Sequence, residues 1–351
     1  DGRLHGRLAR TPILPGEARL LGHLLVGIVG HWQEAAKVYR QVHADTRAAE
    51  APEWLRRAGA VYGFSGGGGG AIYLRYPAQE LPQRIPSFTE LPQLLAEAQQ
   101  FGTNVLYLWD YWEGATEGGR PAYWNKGDYI PRTDLGGEVA FKQGIAAVHA
   151  RGGRVILYVE PFITFRYSKI GSERGYEWAL IDPTGRSMEH YPDNWSMCPN
   201  VKEWQDHVIA VATRLVGEYG ADGIFLDSYG MQWNMACHDS THGHEATEVA
   251  YNEGVITLAR RVREAVRAIK PDAVVMTESF NETLAATVDG SLDGSFYWHW
   301  PLNAGLLEES PWKAVHPQYL VFSNGNDLNE LHQVFAAGQS LALAPNWLPS
   351  A

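Results

Sequence analysis

Short apolar runs alternate with amphipathic stretches along most of the chain. "TNVLYLWD" (103–110), "RVILYVEPF" (154–162), "DGIFLD" (222–227) and "AVVMTES" (273–279) have the nearly continuous hydrophobicity of strands buried on both faces. "GSFYWHW" (294–300), "YLVFSN" (319–324) and "LALAPNW" (341–347) read the same way. Between them, "FKQGIAAVHARGG" (141–153), "EWQDHVIAVATRLVGEYG" (203–220), "EVAYNEGVITLARRVREAVRAIK" (248–270) and "NELHQVFAAG" (329–338) have helical spacing. In the second of these, Val208, Val211, Leu215 and Val216 share one side. This alternation predicts parallel βαβ units. A short eighth strand is expected at "GDYI" (127–130), which completes a closed (β/α)8 TIM barrel over residues 86–351. A doubly wound open sheet is the alternative, but no G-x-G-x-x-G follows a strand.

Residues 1–85 break the rhythm. They are expected to form an N-terminal accessory segment, the end of a β-sandwich domain, with one helix in "HWQEAAKVYRQVHAD" (31–45). "SGGGGG" (65–70) reads as a flexible connection and lacks the Lys-Ser/Thr of a P-loop. The opening "DGRLHGRLAR" has no apolar signal segment and reads as the start of a mature or truncated chain. The compartment stays open, extracellular and periplasmic included, and so does the oligomeric state.

The 351 residues are 45% hydrophobic and 20% charged, enough to build a large core. The net charge of -11 argues against nucleic acid or an anionic membrane as partner. Two cysteines, Cys198 and Cys237, do not make a disulfide framework. The 13 Trp and 17 Tyr change the picture more. Trp109, Trp112, Trp124, Trp195, Trp233, Trp298, Trp300 and Trp347 lie near predicted strand ends or in loops, where flat rings suit sugar faces as well as cores.

Chemistry in such barrels sits at the C-terminal ends of the strands. Acids stand at four of those ends: Asp110, Glu160, Asp227 and Glu278. Asp227 and Glu278 end consecutive strands, and neighbouring parallel strands run about 4.8 Å apart. That brings their side chains within reach of the roughly 5 to 5.5 Å interval of a retaining glycosidase pair. One acid would attack as the ionised nucleophile, and the other would keep a proton for the leaving oxygen. Structural caps and ion pairs are the alternative use of such acids.

The motifs "FGTNVLYLWDYW", "GDYIPRTDLGGEVAFKQGIAAVHARGGRVILYVEPF", "GEYGADGIFLDSYG" and "AVVMTESFNE" follow the order of those in the alpha-amylase superfamily, which the chain resembles over residues 90–345. "YGADGIFLDSYG" and the segment from "MCPN" to "EWQDHV" are similar to glycosidase-like barrels related to the endo-alpha-N-acetylgalactosaminidases. The resemblance implies Asp227 as nucleophile and Glu278 as acid/base. It departs from typical amylases at Phe225, where they carry Arg, and at Glu160-Pro161, where they carry Asn-His. These departures argue against starch. Asp327 is the candidate for the late-strand aspartate of that family.

"NMACHDSTHGHE" (234–245) follows the Asp227 strand. Cys237, His238, Asp239, His242 and His244 have the chemistry of metal ligands, but their spacing matches no standard zinc signature. The reading therefore assigns no metal and no cofactor, and expects His242 and His244 to contact substrate, with structural packing of the loop as the alternative. The expected enzyme is a retaining glycoside hydrolase for an alpha-linked oligosaccharide, polysaccharide or glycoconjugate. Asp227 and Glu278 are its catalytic pair, with Asp110, Trp109, Glu160, Tyr229, His242, His244, His299 and Trp300 around the sugar. A metal-dependent hydrolase and a non-catalytic sugar-binding barrel are the alternatives.

Overall fold

The computed structural model describes residues 30–42, 50–65, 87–114, 125–231, 235–293, 311–323, 332 and 334–343. Helices α1 (Trp32–Val42) and α2 (Glu53–Arg56) precede strand β1 (Ala60–Ser65). Helix α3 (Leu91–Gln100) leads to β2 (Val105–Trp109), and α4 (Gly137–His149) leads to β3 (Arg154–Val159). An excursion follows, carrying β4 (Ile163–Phe165), α5 (Lys169–Arg174) and β5 (Asn194–Ser196). The chain continues through α6 (Lys202–Gly217), β6 (Gly223–Leu226), α7 (Glu248–Ile269), β7 (Val274–Thr277) and β8 (Gly290–Asp293). A short helix Pro311–Val315 precedes β9 (Leu320–Ser323) and β10 (Ser340–Leu343).

Eight strands close a parallel barrel in the order β1, β2, β3, β6, β7, β8, β9, β10, and β10 returns to β1. Closure is made by Val61 opposite Ala342 and by Tyr62 opposite Leu106. Strands β4 and β5 form a separate antiparallel ribbon on the excursion. The predicted (β/α)8 barrel is therefore present, but its eighth stave differs from the expectation. Residues 127–130 are a loop, anchored where Pro131 bridges Trp112. The missing stave is β1, so the barrel begins upstream of residue 86. Gly63 interrupts the apolar run of β1 and hides it from a hydrophobicity reading. A Cβ at Gly63 would sit 2.9 Å from Cζ3 of Trp109, so the glycine makes room for that indole. The stave expected at 294–300 is Gly290–Asp293, and residues 294–300 lie outside the described residues. The accessory β segment expected before residue 30 also lies outside them.

The helices form for the reasons their sequences suggest. In α6, Val208, Val211, Leu215 and Val216 are buried against the barrel, as their spacing predicts. Helix α7 starts at Thr247, whose side chain accepts from Ala250 N. Helix α1 leans on the short helix before β9, where Arg40 Nη1 donates to Ala314 O at 2.6 Å. Among the described residues, no helix is long and apolar enough to cross a membrane.

The N-terminal rim of the barrel is tied by buried acids. Asp222, fully buried just before β6, faces His149 Nε2, Arg154 Nη1 and Lys270 Nζ, each at 2.7 Å. It also accepts from Val155 N at 2.8 Å. Asp289, just before β8, plays the same part for Arg263, Arg267 and Val275 N. Burial alone would raise the Asp222 carboxyl, but the hydrogen bonds from His149, Lys270 and Arg154 outweigh it and hold the group at about 2. An acid whose value is depressed in the fold stabilises above its unfolded value, near 3.9, and loses that contribution as pH falls towards 2. Asp222→Asn is expected to lose about 2 kcal/mol or more at neutral pH, and the deficit should shrink between about pH 5 and pH 2. Denaturant unfolding across that range checks it; a deficit that does not change with pH contradicts the assignment.

Candidate active site

Parallel register sets the site. Phe225 lies opposite Tyr158 on one side and Met276 on the other, and Leu226 lies opposite Thr277. Two residues beyond Phe225 and Met276, Asp227 and Glu278 stand level at the C-terminal ends of β6 and β7. Glu160 is likewise two residues beyond Tyr158. The rings of Tyr107, Tyr158 and Phe225 meet inside the barrel, with centroids 5.0 and 5.9 Å apart for the two pairs that include Phe225. Strand alternation puts the three acids above this aromatic floor.

Their surroundings differ. Asp227 accepts from the Tyr158 hydroxyl, which in turn accepts from Lys126 Nζ. Lys126 is 2% exposed and lies 3.7 Å from Glu160 Oε2 and 3.8 Å from Asp227 Oδ2. Glu160 is 1% exposed. It accepts from Ser228 Oγ at 2.9 Å and from Phe162 N at 2.9 Å, and its own N–H donates to Tyr129 Oη at 2.7 Å. Burial first, and then the Asp227 charge, push the Glu160 carboxyl up to about 8, with Lys126 opposing. Glu160 is thus a neutral acid near pH 7, packed behind Asp227.

Glu278 is partly exposed and accepts from Ser228 N at 3.0 Å. Ser228 therefore links Glu160 through its hydroxyl and Glu278 through its amide. It does so in a left-handed conformation, φ 60°, uncommon for a residue with a side chain. The turn is held from behind. Ser279 N donates to Tyr229 O, and a Cβ on Gly230 (φ 90°) would fall 1.8 Å from Ser279 O. Tyr191, on the excursion, faces all three acids: burial, and then the charges of Glu160, Asp227 and Glu278, raise its phenol to about 12.

A family profile described as "Domain of unknown function (DUF6259)" matches residues 22–303. The chain belongs to the DUF6259 family. No curated protein sequence matches it. Solved structures share the barrel. Alpha-N-acetylgalactosaminidase NagBb from Bifidobacterium bifidum, in complex with Gal-NHAc-DNJ, is 14% identical with a TM-score of 0.62, over 83% of this chain and 47% of that one. Alpha-galactosidase TtGalA from Thermus thermophilus is 15% identical with a TM-score of 0.55, over 89% and 66%. Maltogenic alpha-amylase AmyB from Thermotoga neapolitana is 14% identical with a TM-score of 0.54, over 76% and 58%. The chain spans about half the length of NagBb. At this identity the likeness is one of fold.

In this DUF6259 barrel the other predicted site residues distribute unevenly. Asp110 ends β2 at 1% exposure, and its left-handed backbone (φ 59°) takes it out of the strand alternation. Trp109 is 9% exposed, with its ring against Tyr107 and Gly63. Trp112 is buried, stacked on Tyr158 at 5.2 Å. Tyr229 is 2% exposed within the core. Trp195 is half-buried under the Arg166 guanidinium, 4.1 Å from its ring centroid. His242 and His244 each turn one ring nitrogen to a cysteine, Cys237 and Cys198 respectively. His299, Trp300, Asp327, Trp124, Trp233, Trp298 and Trp347 lie outside the described residues. Lys126, Tyr158 and Tyr191 are the residues that motif reading did not select for the cluster, whereas Ser228 was expected to line its mouth with Tyr229. Only Tyr158, two positions before a strand-end acid, carried a sequence signal.

Glu160 generates a pH test. Its ordinary value is 4.5 and its value here is about 8. Between them the folded chain keeps a proton that the unfolded chain releases, so stability falls as pH rises through that window and levels off above it. In Glu160→Gln this slope should flatten, measured by denaturant unfolding between about pH 5 and pH 9. Identical slopes in both proteins would mean that Glu160 is already ionised at neutral pH.

Proposed function

We propose that this barrel is a retaining glycoside hydrolase acting on an alpha-linked sugar. The observation that carries the reading is the level pair Asp227 and Glu278 on adjacent staves at the C-terminal rim. Staves about 4.8 Å apart suit the roughly 5 to 5.5 Å spacing that double displacement requires. Asp227 attacks the anomeric carbon and forms a covalent glycosyl-enzyme. Glu278 gives its proton to the leaving oxygen, then takes one from the water that releases the sugar.

The remaining residues take supporting roles. Lys126 and Tyr158 orient Asp227 from below. Glu160, neutral and buried, keeps a second negative charge away from the nucleophile and reaches Ser228. In this reading it shapes the nucleophile's field instead of holding a hydroxyl. Trp109 at the end of β2 and Asp110 just after it stay assigned to the sugar side of the pocket, and Tyr191 covers it from the excursion. The activities of NagBb and TtGalA make aryl alpha-N-acetylgalactosaminides and aryl alpha-galactosides the first substrates to try.

Glu278→Gln is expected to lower kcat by about 10² to 10⁴-fold on substrates with poor leaving groups. Asp227→Ala should lose turnover, and added azide should restore it by trapping the sugar with inverted anomeric configuration. Both outcomes are read from release of the aryl group and from product stereochemistry. Turnover near wild type in both variants would end the proposal, and sugar binding without any turnover in the native protein would make the barrel a binding module.

A further inference from the structure

Beside the acid cluster, two loops of the catalytic face meet. One is the excursion between β3 and α6, and the other is the connection from β6 to α7. Their contact holds four side chains. Cys198 comes from the excursion, and Cys237, His242 and His244 come from the β6–α7 connection. One ligand atom from each lies within 4.8 Å of all the others. Cys198 Sγ is 3.2 Å from His244 Nε2, and Cys237 Sγ is 3.4 Å from His242 Nδ1. A zinc ion with Zn–S near 2.3 Å and Zn–N near 2.0–2.1 Å sets tetrahedral S···N edges of about 3.5 Å. The observed edges match that within a few tenths of an ångström.

The far side of each imidazole decides which nitrogen faces the sulfurs. His242 Nε2 meets the Glu177 carbonyl at 2.9 Å, and His244 Nδ1 meets the Glu245 carbonyl at 2.8 Å. A carbonyl only accepts, so each of these nitrogens carries the hydrogen. The opposite nitrogens, His242 Nδ1 and His244 Nε2, then present lone pairs towards the cysteines. A carbonyl behind the ring is the arrangement that orients metal-bound histidines. The sulfurs are prepared too. Cys237 Sγ accepts from Ile181 N at 3.4 Å, and the amides of Asn200 and Val201 hydrogen-bond to Cys198. Both cysteines are buried free thiols. Access exists, because His244 lines an open cleft of about 740 Å³ with Asn200, Ser240 and Glu253.

We propose that Cys198, Cys237, His242 and His244 form a structural zinc site that staples the β6–α7 connection to the excursion. Two thiolates and two neutral imidazoles balance the ion, and two thiol protons leave when it binds. Soft sulfur with imidazole in a tetrahedral set selects zinc over magnesium or calcium. Four protein ligands leave no open position, so the ion fixes loops and activates no water. The staple joins the segment that leaves Asp227 to the segment that carries Tyr191. Sequence spacing hides the site, because Cys198 comes from a different loop from the other three ligands.

The test is metal content. Untagged protein, purified without chelator and desalted, should carry about one zinc per chain by plasma mass spectrometry. Cys237→Ser and His244→Ala should each lose most of it. Cobalt in place of zinc should give the visible bands of a tetrahedral thiolate complex, and a chelator should lower the Tm of the native protein while leaving that of His244→Ala unchanged. Native protein that refuses both zinc and cobalt overturns the proposal, whether its thiols titrate as free or its mass shows a Cys198–Cys237 disulfide. The metal measurements on native protein stand even where a variant fails to fold, and they are independent of any glycosidase assay.

Discussion

A single buried ammonium organises the top of this barrel. Lys126 sits 2% exposed between Asp227 and Glu160, with its charge against the Tyr158 ring and hydroxyl. A lone cation there would be expensive, and one carboxylate balances it. A second carboxylate has no counter-charge to claim, so it keeps its proton. Glu160, the more deeply buried of the two, becomes the neutral partner. The protonation of Glu160 thus follows first from its burial and then from its charged neighbour, not from the acid itself.

Opposite ends of one short strand show how position decides use. Asp222 and Asp227 flank the four residues of β6. The first is surrounded by His149, Arg154 and Lys270 and ties helices to the barrel floor. The second opens towards the rim, with its side chain 17% exposed. Barrels keep stability at the N-terminal rim and chemistry at the C-terminal one, and β6 places an acid at each.

Much of this was legible in the residues. Parallel strands buried on both faces announce themselves as apolar runs, and an acid ending such a run is visible without coordinates. Hence Asp227, Glu278 and Glu160 stood out. β1 did not, because its glycine serves the Trp109 ring and breaks the pattern. Lys126 was invisible because its loop has no period; only three-dimensional closure carries it beneath Asp227. Histidines spaced at 242 and 244 suggested sugar contact or packing alike, and the cysteines beside them, one far away in sequence, could not be read from the spacing. Periodicity reports which face a residue takes, whereas a polar cluster depends on which loops meet.

The barrel is sealed by β1 against β10, strands from nearly opposite ends of the described chain. A ribosome releases the first of these long before the last. Until Leu341 emerges to meet its place beside Ala60, the strand that borders Leu106 keeps one open edge. Such long-range pairing makes folding slow and leaves sticky intermediates. That edge is therefore the last part of the barrel to find its hydrogen-bonding partner.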